Sequence, residues 1–336
     1  MTYKITVTET SDCFEVAPGE ALLDGAERAG VSLAHDCRFG GCGTCRVRLL
    51  EGKVEYEEQP FGLSEEEAAQ GYALACQAQP MSDLTISATV RAADYIPPEY
   101  HTARIEGLDQ LSHDVTHLVL RIPSAQDVRF HPGQYLNIML EDGTPRSFSM
   151  ASPPSGDLFD LHIRRVPGGR FTERLYDHYR VGDALDVELP LGEFRYQSEE
   201  RRPLLLVAGG TGLAPIKAII ESLREREDVP EIAFYWGVRG QHDLYMDSAL
   251  RELGQGFQGF HYVPVLSQPE SDWAGRKGYV HTAICEDISD FSRFDAYLCG
   301  PPPMIESAKN AFIKRGLPVD RIFSDSFNFT HEIAAA

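Results

Sequence analysis

The sequence predicts a multidomain α+β and α/β architecture of three successive units: a small mixed sheet with one packed helix, an antiparallel β-barrel, and a doubly wound parallel sheet. Three observations carry that prediction. At 336 residues the chain is longer than one domain usually runs. Up to about Tyr196 its apolar segments are short, strand-like and separated by Gly, Pro and Asp turns. From Leu204 onward strand-like and helical segments alternate.

The first unit, residues 1–95, opens with the alternating strands of TYKITVTETSDCFEV. The segment ALLDGAERAGV follows, with Leu22, Leu23, Ala26 and Ala29 on one helical face. RVRLLEGKVEY returns to strand with a turn at Glu51-Gly52, SEEEAAQGYALACQ reads as an acidic helical patch, and LTISATV closes the unit. Between helix and strand lies CRFGGCGTC, with Cys37, Cys42 and Cys45, and Cys76 follows in LACQ. C-x4-C-x2-C with a distant fourth cysteine is the plant-type [2Fe–2S] spacing, in which four thiolates hold two sulfide-bridged irons. Gly40, Gly41 and Gly43 suit a tight loop that turns N–H groups toward sulfur. Structural zinc is the competing use of four cysteines, but it usually pairs two short C-x2-C knuckles. Arg38 and Arg46 fit potential tuning, partner docking or plain solvation. Cys13, outside the spacing, reads as a small buried hydrophobe.

The stretch from Arg91 to Gly107, with Pro97-Pro98, reads as a linker. The middle unit, residues 102–199, holds THLVLRI, QYLNIML, SFSMAS, LFDLHIRRV and ALDVELP, interrupted by the helical GRFTERLYDHY. A polar seam at residues 196–203 leads to the last unit, residues 203–336. There Gly209-Gly210-Thr211-Gly212 joins strand to helix, where a backbone can approach a pyrophosphate. It lacks the full G-x-G-x-x-G fingerprint, so a tight turn without a ligand explains it too. A second strand end carries Cys299-Gly300-Pro301-Pro302-Pro303-Met304. Cys299 there suits packing against a bound nicotinamide or a plain buried cysteine.

Composition narrows the function class. Hydrophobic residues make up 43% and charged residues 24%, enough to bury a core without disulfides. The net charge of −20 excludes a phosphate-neutralising face for nucleic acid and suits a protein partner with a basic patch. No apolar run approaches the roughly 20 residues of a membrane span, and MTYKITVTET lacks signal-peptide features, so a cytoplasmic location is expected.

CRFGGCGTC with Cys76, RSFSMAS, HIRRVPGGRFT, GGTGLAP, YLCGPPPM and FSDSF together resemble the ferredoxin-reductase superfamily in its fused form, over essentially the whole chain. The order is a β-grasp ferredoxin domain, a flavin-binding barrel and an NAD-binding domain. The likeness is strongest to reductase components of ring-hydroxylating dioxygenases and related bacterial oxygenases of aromatic hydrocarbon catabolism. The family's Arg-x-Tyr-Ser motif stands here as Arg146-Ser147-Phe148-Ser149, with Phe in place of Tyr. The resemblance implies Arg146 on flavin phosphate, Phe148 beside the isoalloxazine, and Ser149 near N5. It also implies His162, Ile163 and Arg164 on the strand along the flavin, and Gly169, Arg170, Phe171 and Thr172 at its pyrophosphate. Phe327 would help cover flavin or nicotinamide, with Phe323 as competitor. FAD is implied over FMN by domain order. NADH is implied over NADPH because Ser267-Gln268 stands where NADPH users carry Ser-Arg. Ser149 and Cys299 flank the implied hydride transfer, and electrons leave through the cluster to a ferredoxin or oxygenase. A soluble di-iron monooxygenase and a sugar-deoxygenating dehydratase are alternative recipients. A zinc-binding scaffold without activity is the remote alternative. Oligomeric state is not encoded in any motif.

Overall fold

The computed structural model describes residues 2–89, 95–125, 129–197 and 200–327. Parts of the predicted linker (91–94) and seam (198–199), and the tail from residue 328, lie outside the described residues.

Three sheets follow in chain order. In the first, Tyr3–Val7 pairs antiparallel with Cys13–Val16 and parallel with Leu84–Ala88, which continues to Arg46–Glu51 and Tyr72–Leu74. The helix Leu22–Arg28 lays Leu22, Leu23 and Ala26 on it. The acidic patch forms a helix only over Glu65–Ala69. Ser64 caps it in a reciprocal capping box with Glu67, so the segment is free to return to strand at Tyr72. Cys13 corrects its expectation: it is exposed, because Phe14 and Val16 take the inward parity of their short strand.

The second sheet is antiparallel throughout, ordered from Pro145–Ser149 through Tyr135–Met139, Ala184–Leu191, Glu99–Gln110 and Val115–Arg121 to Leu158–Arg164. A bridge between Met150 and Leu161 joins its two outer strands and closes the barrel. Closure therefore sets the end of the Pro145–Ser149 strand beside the middle of the Leu158–Arg164 strand.

The third sheet is parallel, ordered Arg276–Lys277, Phe260–Leu266, Ile232–Val238, Leu204–Gly209, Asp295–Gly300, Ile322–Ser326. The strand order reverses between Leu204–Gly209 and Asp295–Gly300, which is where open α/β sheets bind ligands. Helices Leu213–Arg224 and Asp247–Gly254 cover one face, Val280–Asp287 and Pro302–Ile313 the other. The core behind the second pair runs without a break into the core of the first domain. All three units meet around a cavity of about 500 Å³ lined by Gly43, Arg46, Tyr72, Phe194, Arg195 and Ser324 among others. Among the described residues no helix is long and apolar enough to cross a membrane.

Candidate functional site

The cluster loop brings its four cysteines together as two pairs. Cys37 and Cys42 are hydrogen-bonding neighbours, as are Cys45 and Cys76. Cys42, Cys45 and Cys76 are buried and Cys37 is half-buried. The N–H groups of Gly41 and Cys42 each donate to Cys37 Sγ at 3.3 Å, and that of Thr44 to Cys42 Sγ at 3.4 Å. The Cys42 partner and these donors bring the Cys37 thiol down to about 6, and Cys45 lowers Cys76 in the same way. Among the described residues, the one set of three or more possible ligand atoms lying mutually within 4.8 Å is His113, His242 and Asp243. The four sulfurs are thus not gathered around one point as tetrahedral zinc requires. Two pairs of thiolates under N–H donors fit a two-iron cluster. Arg38 pairs with Asp24 at 2.8 Å and Glu27 at 2.7 Å, tying the loop to the first helix.

In the barrel, Arg146 is half-buried, with Nη1 donating to Pro145 O at 2.9 Å, and Ser147 donates to Asn137 Oδ1 at 2.8 Å. Strand alternation puts Arg146 and Phe148 on one face, and the half-buried Phe148 ring rests at the edge of the barrel core, 5.4 Å from that of Phe171. Ser149 is buried on the other side, in register with Tyr135. The Tyr135 hydroxyl donates to Asp36 Oδ1 at 2.6 Å and so reaches the residue beside Cys37. The Val166–Thr172 turn is closed by Thr172 Oγ1, which accepts from Val166 N at 3.0 Å and lies 2.4 Å from where a Cβ on Gly169 would stand. Arg170 pairs with Asp142 at 2.6 Å and, with Gly168 and Gly169, lines a cavity of about 250 Å³. The Phe171 ring is in the barrel core, so only its main chain can face a ligand.

The Leu158–Arg164 strand divides its side chains. Ile163 is core, whereas His162 and Arg164 face the NAD-binding unit. His162 Nδ1 lies 3.3 Å from the Tyr245 hydroxyl, and burial lowers its pKa to about 3, so it stays neutral. Arg164 Nη1 is 3.4 Å from Asp114, but its Nε and Nη2 are buried without a hydrogen-bond partner among the described residues. Nη2 lies 3.7 Å from where a Cβ on Gly210 would stand. A guanidinium with two unmet N–H groups, aimed across the seam at a glycine loop, fits an anionic nucleotide.

The two glycine-bearing strand ends pack on one another. A Cβ on Gly212 would meet Cys299 O at 2.2 Å, and one on Gly209 would meet Met304 Sδ at 2.5 Å. Packing thus accounts for these two, while Gly210 takes φ +55°. Thr211 sits in the same single 3-10 turn, Gly210–Gly212. Cys299 is fully buried, and burial, then Asp325, pushes its thiol up; its Sγ is 3.9 Å from Asp325 Oδ2. Pro301 caps the Pro302–Ile313 helix. Phe327 N donates to Gly300 O at 3.0 Å, which seats Phe327 at this strand end, whereas Phe323 stacks on Tyr297 at 4.7 Å. Asp325 itself was not singled out by the sequence reading; burial, with Asp36 and Cys37, pushes it up to about 7. Only its place in FSDSF marked it.

The chain matches three family models in order: a 2Fe-2S iron-sulfur cluster binding domain over residues 5–81, an oxidoreductase FAD-binding domain over 102–196, and an oxidoreductase NAD-binding domain over 206–310. It is 37% identical over 337 residues to the reductase component of phenol 2-monooxygenase from Pseudomonas sp. (strain CF600), covering 97% of this chain and 95% of that one. It is 34% identical over 308 residues to the CDP-6-deoxy-L-threo-D-glycero-4-hexulose-3-dehydrase reductase of Yersinia pestis, covering 91% and 92%. The crystal structure of an Amycolatopsis cytochrome P450 reductase superposes with a TM-score of 0.71 at 33% identity, covering 97% and 99%. The chain belongs to the fused ferredoxin/FAD/NAD-binding reductases: it is an NADH-dependent flavin and iron–sulfur oxidoreductase, the component that passes electrons from NADH to an oxygenase or ferredoxin partner.

Proposed function

We propose that the acceptor is the oxygenase component, or its ferredoxin, of an aromatic-oxidising system. The observation that carries this is the 37% identity, over nearly the full length of both chains, to a reductase of phenol oxidation. The exit for electrons is the rim of the cluster loop. There Phe39 and Phe61 are 51% and 45% exposed, with ring centroids 6.2 Å apart, an apolar contact on an otherwise acidic protein. A sugar-deoxygenating dehydratase is the second reading, supported by the Yersinia pestis relative.

The flavin and cluster supply the conversion of a two-electron hydride into single electrons; the chain's residues bind and orient. Arg146, with Gly169, Arg170 and Thr172 in the closed turn, holds flavin phosphates. Ser149 would sit near the flavin's N5, and Phe148 would lie beside its ring. Cys299, Gly300, Pro301 and Phe327 form the nicotinamide end, and Gly209–Gly212 face the nucleotide. Arg164 reaches across the seam to its charge. His162 works as a neutral seam residue and Ile163 as core. Cys37, Cys42, Cys45 and Cys76 hold the cluster. We take 1–95, 102–199 and 203–336 as the domain limits. A cytoplasmic location suits a consumer of NADH with reduced thiols. NADH is preferred because Gln268, whose N–H donates to Arg239 O at 2.8 Å, offers no bidentate phosphate contact.

The test is anaerobic titration with NADH, followed by visible spectra and low-temperature EPR, then reconstitution with candidate acceptors. Flavin bleaching with a rhombic reduced-cluster signal, and turnover with an aromatic oxygenase, is the expected result. Turnover with a sugar dehydratase alone would move the assignment to the second reading.

A further inference from the structure

The chemistry assigned above does not use the buried charge of Lys309. Lys309 lies on the Pro302–Ile313 helix of the NAD-binding domain, yet its ammonium is buried in the first domain's surface, 1% exposed. Nζ donates to Gly62 O at 3.1 Å and lies 3.4 Å from Glu67 Oε1. Glu67, fully buried, also takes Arg46 Nη1 at 2.7 Å. Arg46 in turn donates to Val319 O at 2.8 Å and Ile322 O at 3.1 Å of the NAD-binding domain. Two cations thus surround one carboxylate at the seam; burial pushes the Lys309 ammonium's pKa down, and Glu67 beside it works against that.

That seam is the back of the cluster loop. Gly43, between the ligands Cys42 and Cys45, has φ +79°, and a Cβ there would stand 3.2 Å from Lys309 Nζ. Ser324 Oγ, 3.5 Å from the same point, donates to Cys42 O at 3.0 Å. The NAD-binding domain therefore touches the main chain of the cluster loop and places a cation one residue from a ligand.

We propose that Lys309 raises the reduction potential of the [2Fe–2S] site through its buried charge, so that the cluster's driving force is set from the NAD-binding domain. The inference rests on the assignment of Cys37, Cys42, Cys45 and Cys76 to that cluster. Reduction adds one negative charge to the site, and a nearby desolvated cation stabilises the reduced form more than the oxidised one. Glu67 acts in the opposite sense: it holds the ammonium in place and offsets part of its field.

EPR-monitored redox titration of the holoprotein tests this with K309M, E67Q and the double variant. K309M keeps the stem and removes the cation; the reduced-to-oxidised ratio at fixed potential should fall about tenfold, which is about 59 mV for a one-electron couple. E67Q should shift the potential upward, by less, and the double variant should return it toward wild type. Opposite signs separate a field effect from loosened packing, which would move both single variants the same way. If K309M does not fold, E67Q and the pairwise neutral double variant still carry the comparison. Potentials unchanged within error, or shifted in one direction by both single variants, overturn the proposal. Absence of a reduced-cluster signal in the wild-type protein would instead overturn the cluster assignment.

Discussion

The NAD-binding domain meets its two neighbours by different chemistry. Against the cluster domain it buries an ion triad, Lys309–Glu67–Arg46, joined by a hydrogen bond from Tyr72 to Asp320. Against the barrel it places uncharged or singly bonded contacts: His162 with Tyr245, and Lys217 Nζ donating to Ala151 O at 2.9 Å. A buried triad is satisfied in one register only, and losing one member leaves the others desolvated without compensation. The barrel seam, where the proposed nucleotide site lies, has fewer obligatory partners. The difference suggests that one seam fixes a distance while the other is built for ligand exchange.

Removing Glu67 breaks that contrast most severely. E67A should cost about 3–5 kcal/mol, the usual range for stranding buried charge. In scanning calorimetry it should split unfolding of the cluster domain from that of the rest. A single unshifted transition would mean that the triad does not hold the seam.

Acid should act on the other seam. Burial keeps His162 neutral down to about pH 3, whereas the unfolded chain takes up that proton near 6.5. The folded pKa is depressed, so stability is full above pH 6.5 and falls by up to about 1.4 kcal/mol per pH unit below it. Glu67 does not contribute between pH 6.5 and 4.5. Burial alone would raise its pKa, but Lys309, Arg46 and the Ser64 cap overcome this and hold it at about 2, so its contribution is lost only below 4.5. Asp325, pushed up to about 7, tilts stability the opposite way over the same window, so the check is the difference between wild type and H162Q. The melting-point advantage of the wild type should shrink as pH falls from 6.5 to 4.5; parallel slopes would remove His162 from the account.

Smaller effects sharpen the comparison. Y245F removes the hydroxyl facing His162 and should cost about 1 kcal/mol in urea unfolding. K314A deletes an ion pair with Glu66 at 3.1 Å on the cluster seam, with Lys314 61% exposed. Its cost should stay below about 1 kcal/mol despite the matching geometry. A loss as large as that from E67A would show that charge count, not burial, holds the seam.

The cluster domain was legible because three of its cysteines are close in sequence and glycine spacing carries meaning there. So was the switch-point crevice, since strand–helix alternation fixes where Gly209 and Gly300 emerge. The Phe171 ring and the facing of His162 and Arg164 were not, because a motif match does not say which side of the wall each residue takes. Cys13 failed for a related reason: a four-residue strand has a parity, but its inward face depends on neighbouring strands.

The sequence by itself determined the three units, their order, the grouped cysteines and the glycine loops, since local spacing and periodicity encode all of these. Only the tertiary structure decided that the Pro145–Ser149 strand ends beside Leu161 through the Met150 bridge, that Arg164 aims at Gly210, and that Lys309 stands behind Gly43. Gly43 and Lys309 are hundreds of positions apart in the chain. Their meeting is enforced by a continuous apolar core and a buried triad that no local pattern specifies.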